Sequence, residues 1–336
     1  MAGAGRHIPR LYLSPPPQMP QTPPLLAGTA WAGGQVLPLA GSTREHVRTV
    51  LRLGAGDAVR VWDGVHGEWA ARLTGRAAGV ALEAAVAPQP AAVEVSPGVS
   101  VPAGPWLLAS ALKPSGGGGG GGRSQWAVEK ATELGVGVVW PVYTARVQGA
   151  RPPPALAPTL SAFLAGAAAA SGADGERAKA VAHAIGAAEQ CGRLSLPLIL
   201  PLTNLADALR LLATAPAPAA VAATAAAAGA AAAGASLSSS PEAAFHVLVA
   251  DEAAPGHDSI AAVRLAAGAI PALLIGPEGG WAPEDRAVMM GAATGTGTAS
   301  GGRNLRLSTV SLGRTTLRAE TAAIAGLAVL SARHLG

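Results

Sequence analysis

The chain has 336 residues, half of them apolar and only 13% charged, with 24 Lys and Arg against 20 Asp and Glu for a formal net charge of +4. That length suits two domains with residues to spare for linkers and inserts, and the modest basic excess permits a nucleic-acid partner without demanding one. Cys191 is the sole cysteine and none of the seven histidines has His-x-x-x-His spacing, which excludes a disulfide framework and leaves no metal-ligand pattern.

The longest apolar stretch, Ala217 to Ala235, is nearly all alanine and lacks the Leu, Ile and Phe that drive insertion, so no membrane span is expected. No acidic residue precedes Glu45, whereas Arg6, Arg10 and Arg44 do. Such a start fits an organellar address, chloroplast or mitochondrion in a eukaryote, while a bacterial owner would keep the protein in the cytoplasm.

In chain order, Arg6 to Leu13 reads as a first strand. Ser42-Thr-Arg-Glu45 has the spacing of a capping box and opens a helix whose apolar positions Val47, Val50 and Leu51 follow at helical intervals. Arg44, Arg48 and Arg52 recur every four residues on its other side, a stripe able to lie along phosphates or simply to face water. Val59 and Val61, the Asp63-Gly64 turn and Glu68 to Leu73 predict a β-hairpin, so residues 6–95 form a small β-rich domain. Pro88 to Pro105 reads as a linker.

From Trp106 onward, apolar segments alternate with helical patterns, the signature of an α/β domain with a parallel sheet over residues 105–336. Predicted strands are 136–142, 244–249, 272–275 and 309–312; predicted helices are 125–134, 177–190, 283–291 and 320–332. Low-complexity inserts are expected near 115–122, 152–175, 214–241 and 292–302. Gly117 to Ser124 spells Gly-x-x-x-x-Gly-Arg-Ser, but the phosphate-binding lysine is missing and a glycine homopolymer satisfies any glycine pattern, which argues against nucleotide hydrolysis.

Two glycine loops carry the chemistry. Leu273-Leu-Ile-Gly-Pro-Glu-Gly-Gly280 runs an apolar strand into a loop whose glycines let a ligand approach the backbone, followed by a helix start at Pro283. Val310-Ser-Leu-Gly313 repeats the arrangement ahead of Leu317-Arg-Ala-Glu-Thr-Ala322, and ligands of parallel sheets bind beyond such strand ends. Upstream, Glu129 to Gly135 and Ala188 to Arg193 each end a helix at a glycine.

Together Arg6–Leu13, His46–Leu53, Trp126–Gly135, Glu189–Arg193, Leu274–Gly280 and Ser311–Ala322 resemble, in order, the RsmE family of ribosomal RNA uridine N3-methyltransferases. The resemblance implies an N-terminal PUA-like β-barrel and a C-terminal SPOUT domain with a parallel sheet and a deep trefoil knot. It implies a homodimer that uses S-adenosylmethionine on small-subunit ribosomal RNA or the small ribosomal subunit, with no metal.

By the same resemblance the donor would lie against Ile275, Gly276, Pro277, Glu278, Gly279, Gly280, Leu312, Gly313, Leu317 and Thr321. Loss of the uridine imide proton calls for a carboxylate and arginines, so Glu320, Arg318 and Arg193 are expected to carry catalysis, with a purely structural role for Arg318 and Glu320 as the alternative, and Arg10, Arg48, Arg52, Lys130 and Arg146 are expected to hold RNA. The chain departs from the family pattern at Gly313-Arg-Thr-Thr-Leu-Arg, where Thr315 replaces an arginine, and at Ala145-Arg146, where alanine replaces glutamate. These departures keep open a second reading, an RNA-binding or ribosome-assembly protein that retains the fold without activity.

Overall fold

The structure is a computed structural model that describes residues 8–13, 30–75, 78–88, 90–96, 99–110, 122–147, 158–169, 175–215, 243–253, 258–266, 268–294 and 304–334. The chain divides into two compact units, Met1–Ala91 with Ile185–Leu196, and Ala92–Ala184 with Pro197–Gly336. The division falls at Ala91, and a short segment near residue 190 joins the N-terminal unit, which no local pattern in the sequence announces.

In the N-terminal unit, β1 (Arg10–Tyr12), β2 (Val36–Pro38), β3 (Ala58–Trp62), β4 (Glu68–Leu73) and β5 (Gly79–Ala87) form a sheet in the order β1-β3-β4-β5-β2, with β1 parallel to β3. The predicted hairpin is β3–β4, paired antiparallel from Ala58↔Arg72 to Trp62↔Glu68. Leu11, Val59, Val61, Ala71, Leu73, Val80 and Leu82 point inward on alternate positions, and α1 (Gly41–Thr49) seals that core with Val47. The capping box is not used. The helix starts one residue before Ser42, with Ala40 as N-cap and no side-chain cap bond, so its first amides are left to solvent.

The α/β unit is built on a fully parallel eight-stranded sheet. Its strands are β8 (Trp106–Ser110), β9 (Val138–Tyr143), β10 (Leu198–Ile199), β11 (Thr203–Asn204), β12 (Phe245–Ala250), β13 (Asp258–Ser259), β14 (Ile270–Ile275) and β15 (Leu305–Ser311). Their order is β10-β9-β8-β14-β12-β15-β13, with β11 also on β9. The helices are α2 (Arg123–Glu133), α3 (Leu160–Ala169), α4 (Gly175–Cys191), α5 (Leu205–Ala213), α6 (Pro283–Thr294) and α7 (Ala319–His334); only α4 also contributes residues to the other unit.

Alternation divides the sheet's two faces. Trp106, Leu108, Val138, Trp140, Val142, Phe245, Val247, Val249, Ala272 and Leu274 share one core with Phe163 and Leu164 of α3, Leu209 and Leu212 of α5, and Met289 of α6. The intervening Leu273 turns to the other face, where α7 lies, and α2 packs on α7.

Two expectations are corrected. The Pro-rich stretch before Pro105 is not a bare linker but a hairpin, β6 (Ala92–Ser96) with β7 (Val99–Pro102), because Val95 and Val101 fall on one side and enter the core. The expected insert 152–175 contains α3, whose Leu160, Phe163, Leu164 and Ala167 recur at helical spacing and are buried, with Phe163 stacked on Trp140. Of the Gly117–Ser124 run, only residues 122–124 are described, opening α2; Gly117 to Gly121 lie outside the described residues, as do most of the inserts near 214–241 and 292–302.

Candidate active site

Register brings the two glycine loops together. Across β8, β14, β12 and β15 the strand ends stand level to within one residue: Ile275 pairs with Ala109 and with Ala250, and Ala250 pairs with Val310. The loops after β14 and β15 therefore leave the same edge of the sheet on either side of the end of β12, where ligands of parallel sheets bind.

The first loop is a turn closed by the Gly280 amide donating to the Pro277 carbonyl, 2.9 Å, with Gly280 at φ 68. Trp281 folds back beneath it. Its indole nitrogen donates to the Ala250 carbonyl, 2.9 Å, and its ring lies so close to Gly276 that a β-carbon there would come within 2.9 Å of Cε2. Only glycine fits at 276. Ile275 and Pro277 are buried, while Glu278, Gly279 and Gly280 are exposed.

The second loop turns at Gly313, φ 139, where the Ser311 hydroxyl accepts from the Gly313 amide, 3.2 Å. Leu312 and Leu317 are half-buried, and Gly313, Arg314, Thr315, Arg318 and Thr321 are exposed. The chain then enters α7, whose first turn is set by the Ala322 amide donating to the Arg318 carbonyl, 2.8 Å.

α7 descends from this edge. It starts just past the end of β15, its Gly326 lies against Leu273 in mid-strand, and the Ser331 hydroxyl donates to the Leu134 carbonyl ahead of β9, at the opposite edge. Glu320 stands six residues, or about 9 Å, before Gly326. Gly276 stands about 10 Å beyond Leu273 along the strand. Glu320 is therefore level with the loops. It is 8% exposed, and its Oε2 is buried without a hydrogen-bond partner among the described residues. A buried carboxylate oxygen without a partner is costly, so a ligand donor is the natural occupant. The Arg318 guanidinium two residues earlier makes no hydrogen bond or ion pair among the described residues and faces solvent.

The predicted RNA contacts divide. Arg48 and Arg52 stand exposed on and just after α1. Lys130 on α2 is bonded to Glu133, 2.7 Å, and Arg146 donates to the Gly279 carbonyl, 2.6 Å. Arg10 is drawn inside its unit: Nε meets Glu68 at 2.6 Å, and Nη1 and Nη2 donate to the carbonyls of Ala188 and Gly192 at 3.0 and 3.2 Å. The Tyr12 amide donates to Glu189 beside it, 2.7 Å. Two of the motif segments, about β1 and Glu189–Arg193, thus fold on each other. Arg193 lies in this unit with Nε donating to Ser195, 3.0 Å, and burial lowers its pKa to about 10, still leaving it charged at neutral pH.

The sequence reading missed Trp281, Asp285 and the ion pair of Asp251 with Arg286, which ties the end of β12 to α6. Asp285 had a signal, a carboxylate at the third position of a helix opened by Pro283. The Trp281 contact had none, since nothing local reveals that an indole will reach the end of another strand.

Comparison with known proteins gives an independent view. The RNA methyltransferase PUA domain matches residues 39–77, and the RNA methyltransferase domain matches residues 159–331. No curated protein gives a significant sequence match. Among solved structures, the ribosomal RNA small subunit methyltransferase E of Neisseria gonorrhoeae, bound to S-adenosyl methionine, is similar at 21% identity and TM-score 0.57, covering 97% of this chain and 98% of its own. A Legionella pneumophila protein assigned as a methyltransferase, solved with bound SAM, is also 21% identical, with TM-score 0.55 and the same coverage. Both likenesses show a shared fold, the PUA match falls within the N-terminal unit, and since the RNA methyltransferase domain match spans more than half of the chain, the protein belongs to the RNA methyltransferase domain family.

Proposed function

We propose that this RNA methyltransferase transfers the methyl group of S-adenosylmethionine to N3 of a uridine in small-subunit ribosomal RNA. The observation that carries the reading is the buried Oε2 of Glu320, without a hydrogen-bond partner among the described residues and level with two glycine loops. The family match, the structural likeness to the gonococcal small-subunit enzyme and the motif order along the chain support it.

The residues present fit the donor. Gly279, Gly280 and Gly313 offer exposed backbone that carries no side chain of its own, Ile275 and Leu317 offer apolar surface, and Thr321 adds a hydroxyl at the helix start. Bound there, S-adenosylmethionine supplies a methyl group already activated on a sulfonium, so the protein's task is alignment and charge.

Uridine N3 carries an imide proton that must leave as the N–C bond forms, with negative charge spreading to O2 and O4. Glu320 accepts that proton on Oε2, directly or through water, and its place in the first turn of α7 holds the carboxylate beside the helix's positive end. Arg318, whose guanidinium has no other partner among the described residues, stabilises the developing charge on the uracil oxygens. Arg44 and Arg48 on the exposed face of α1, with Arg52 just past its end, hold the RNA backbone. An unpaired or extruded uridine is required, because pairing hides N3. The trefoil knot and the homodimer belong to the same reading by resemblance.

Single-turnover methyl transfer tests it. Glu320→Gln keeps the shape of the side chain but removes the proton acceptor, and is expected to slow transfer by about 100-fold or more while leaving donor affinity within about twofold. Unchanged rates would remove Glu320 from the chemistry. Loss of donor binding by the wild type would favour the inactive RNA-binding reading.

A further inference from the structure

We infer that Asp285 and Arg146 form a two-point clasp that positions the glycine loop for the methyl donor, a role resting on the placement of the donor proposed above. Asp285 is the third residue of α6 and is only 5% exposed, and each of its carboxylate oxygens has its own task. Oδ2 accepts from the Ala282 amide, 3.2 Å, closing the start of its own helix just after the loop. Oδ1 accepts from the Ala145 amide, 3.1 Å, and so fixes a segment 140 residues away in sequence.

That segment returns to the loop. The next residue, Arg146, donates through Nη1 to the Gly279 carbonyl, 2.6 Å, and its Cδ would lie 3.6 Å from a β-carbon placed on Gly279. Just below, Thr144 is buried and its hydroxyl meets that of Ser110 at 3.0 Å, anchoring the segment to the end of β8. A closed circuit results: Asp285 holds Ala145, Arg146 holds Gly279, and the turn Pro277–Gly280 leads back through Trp281 and Ala282 to Asp285.

A loop that presents backbone groups to a ligand gains affinity when its conformation is fixed in advance. The circuit uses an amide at position 145, not a side chain, so alanine in place of the family's glutamate costs it nothing. Asp285 and Arg146 touch neither donor nor base in this scheme; they are positioning residues, acting through the loop.

The test measures S-adenosylmethionine affinity by calorimetry, donor KM, kcat at saturating donor, and thermal midpoint for wild type, Asp285→Asn, Asp285→Ala and Arg146→Ala. Asp285→Ala and Arg146→Ala are expected to raise donor Kd and KM by about tenfold, with kcat within about twofold. Asp285→Asn, which keeps one acceptor oxygen, should fall between wild type and Asp285→Ala. Arg146 is exposed, so its variant keeps the test valid if the Asp285 variants fold poorly. A lowered thermal midpoint with unchanged donor Kd and KM in every variant would overturn the clasp alone. Failure of wild type to bind S-adenosylmethionine would overturn the donor site and the clasp together.

Discussion

Gly326 of α7 lies directly against Leu273 of β14: a β-carbon at 326 would fall 2.5 Å from Leu273 Cδ2, inside contact distance, and Leu273 is fully buried. This close approach sets how near the last helix comes to the sheet, and with it the height of Glu320 over the glycine loops. Gly326→Ala gains about 1 kcal/mol of helix propensity but overpacks the interface by about 1–3 kcal/mol. A net loss of about 1 kcal/mol by chemical denaturation is expected, together with slower methyl transfer. The penalty should shrink when combined with Leu273→Ala, a coupling that a double-mutant cycle detects.

His246 is buried between β15 and the segment after β13, with Nε2 donating to the Ser308 hydroxyl, 2.8 Å, and Nδ1 accepting from the Ala266 amide, 3.1 Å. Accepting at Nδ1 requires the neutral ring, and burial, with Arg306 nearby, pushes its pKa down to about 4. The folded pKa lies below the unfolded one, so the stability it contributes is complete above pH about 6.5 and is lost as pH falls toward 4, amounting to about 3 kcal/mol at most. In His246→Gln, thermal midpoints between pH 7 and 4.5 should fall less steeply than in wild type.

Arg10 and Arg48 should behave oppositely although both are arginines of the β-rich unit. Arg10 satisfies carbonyls at the end of α4 and pairs with Glu68, so Arg10→Ala is expected to cost about 2–3 kcal/mol of stability with little change in the salt dependence of RNA binding. Arg48 is exposed on α1, so Arg48→Ala should leave denaturation midpoints unchanged and lower the slope of log affinity against log salt by about 1.

What the sequence disclosed followed from local order. The strand-to-glycine-loop motif at Leu273–Gly280 and its echo at Val310–Gly313 carry their own signal, and the apolar strands β12 and β14 announce a parallel sheet. The Val93–Val101 hairpin and α3 escaped because proline and alanine imitate linkers; burial of Val95 and Phe163 depends on a core assembled from distant segments. Arg10 escaped for the same reason. A basic residue near the N-terminus suggests phosphate, and nothing local shows that the end of a helix some 180 residues later will claim its guanidinium. Asp285 was legible only as a helix-start carboxylate; its second partner, Ala145, is a tertiary fact.

The most direct measurement is transfer of isotope-labelled methyl from S-adenosylmethionine to small ribosomal subunits lacking the modification, followed by nuclease digestion and mass spectrometry of the nucleosides. Labelled N3-methyluridine at a single position with wild type, and its absence with Glu320→Gln, is the expected result. Label on any other atom or base, or an undiminished yield from Glu320→Gln, would contradict the assignment of this site to uridine N3.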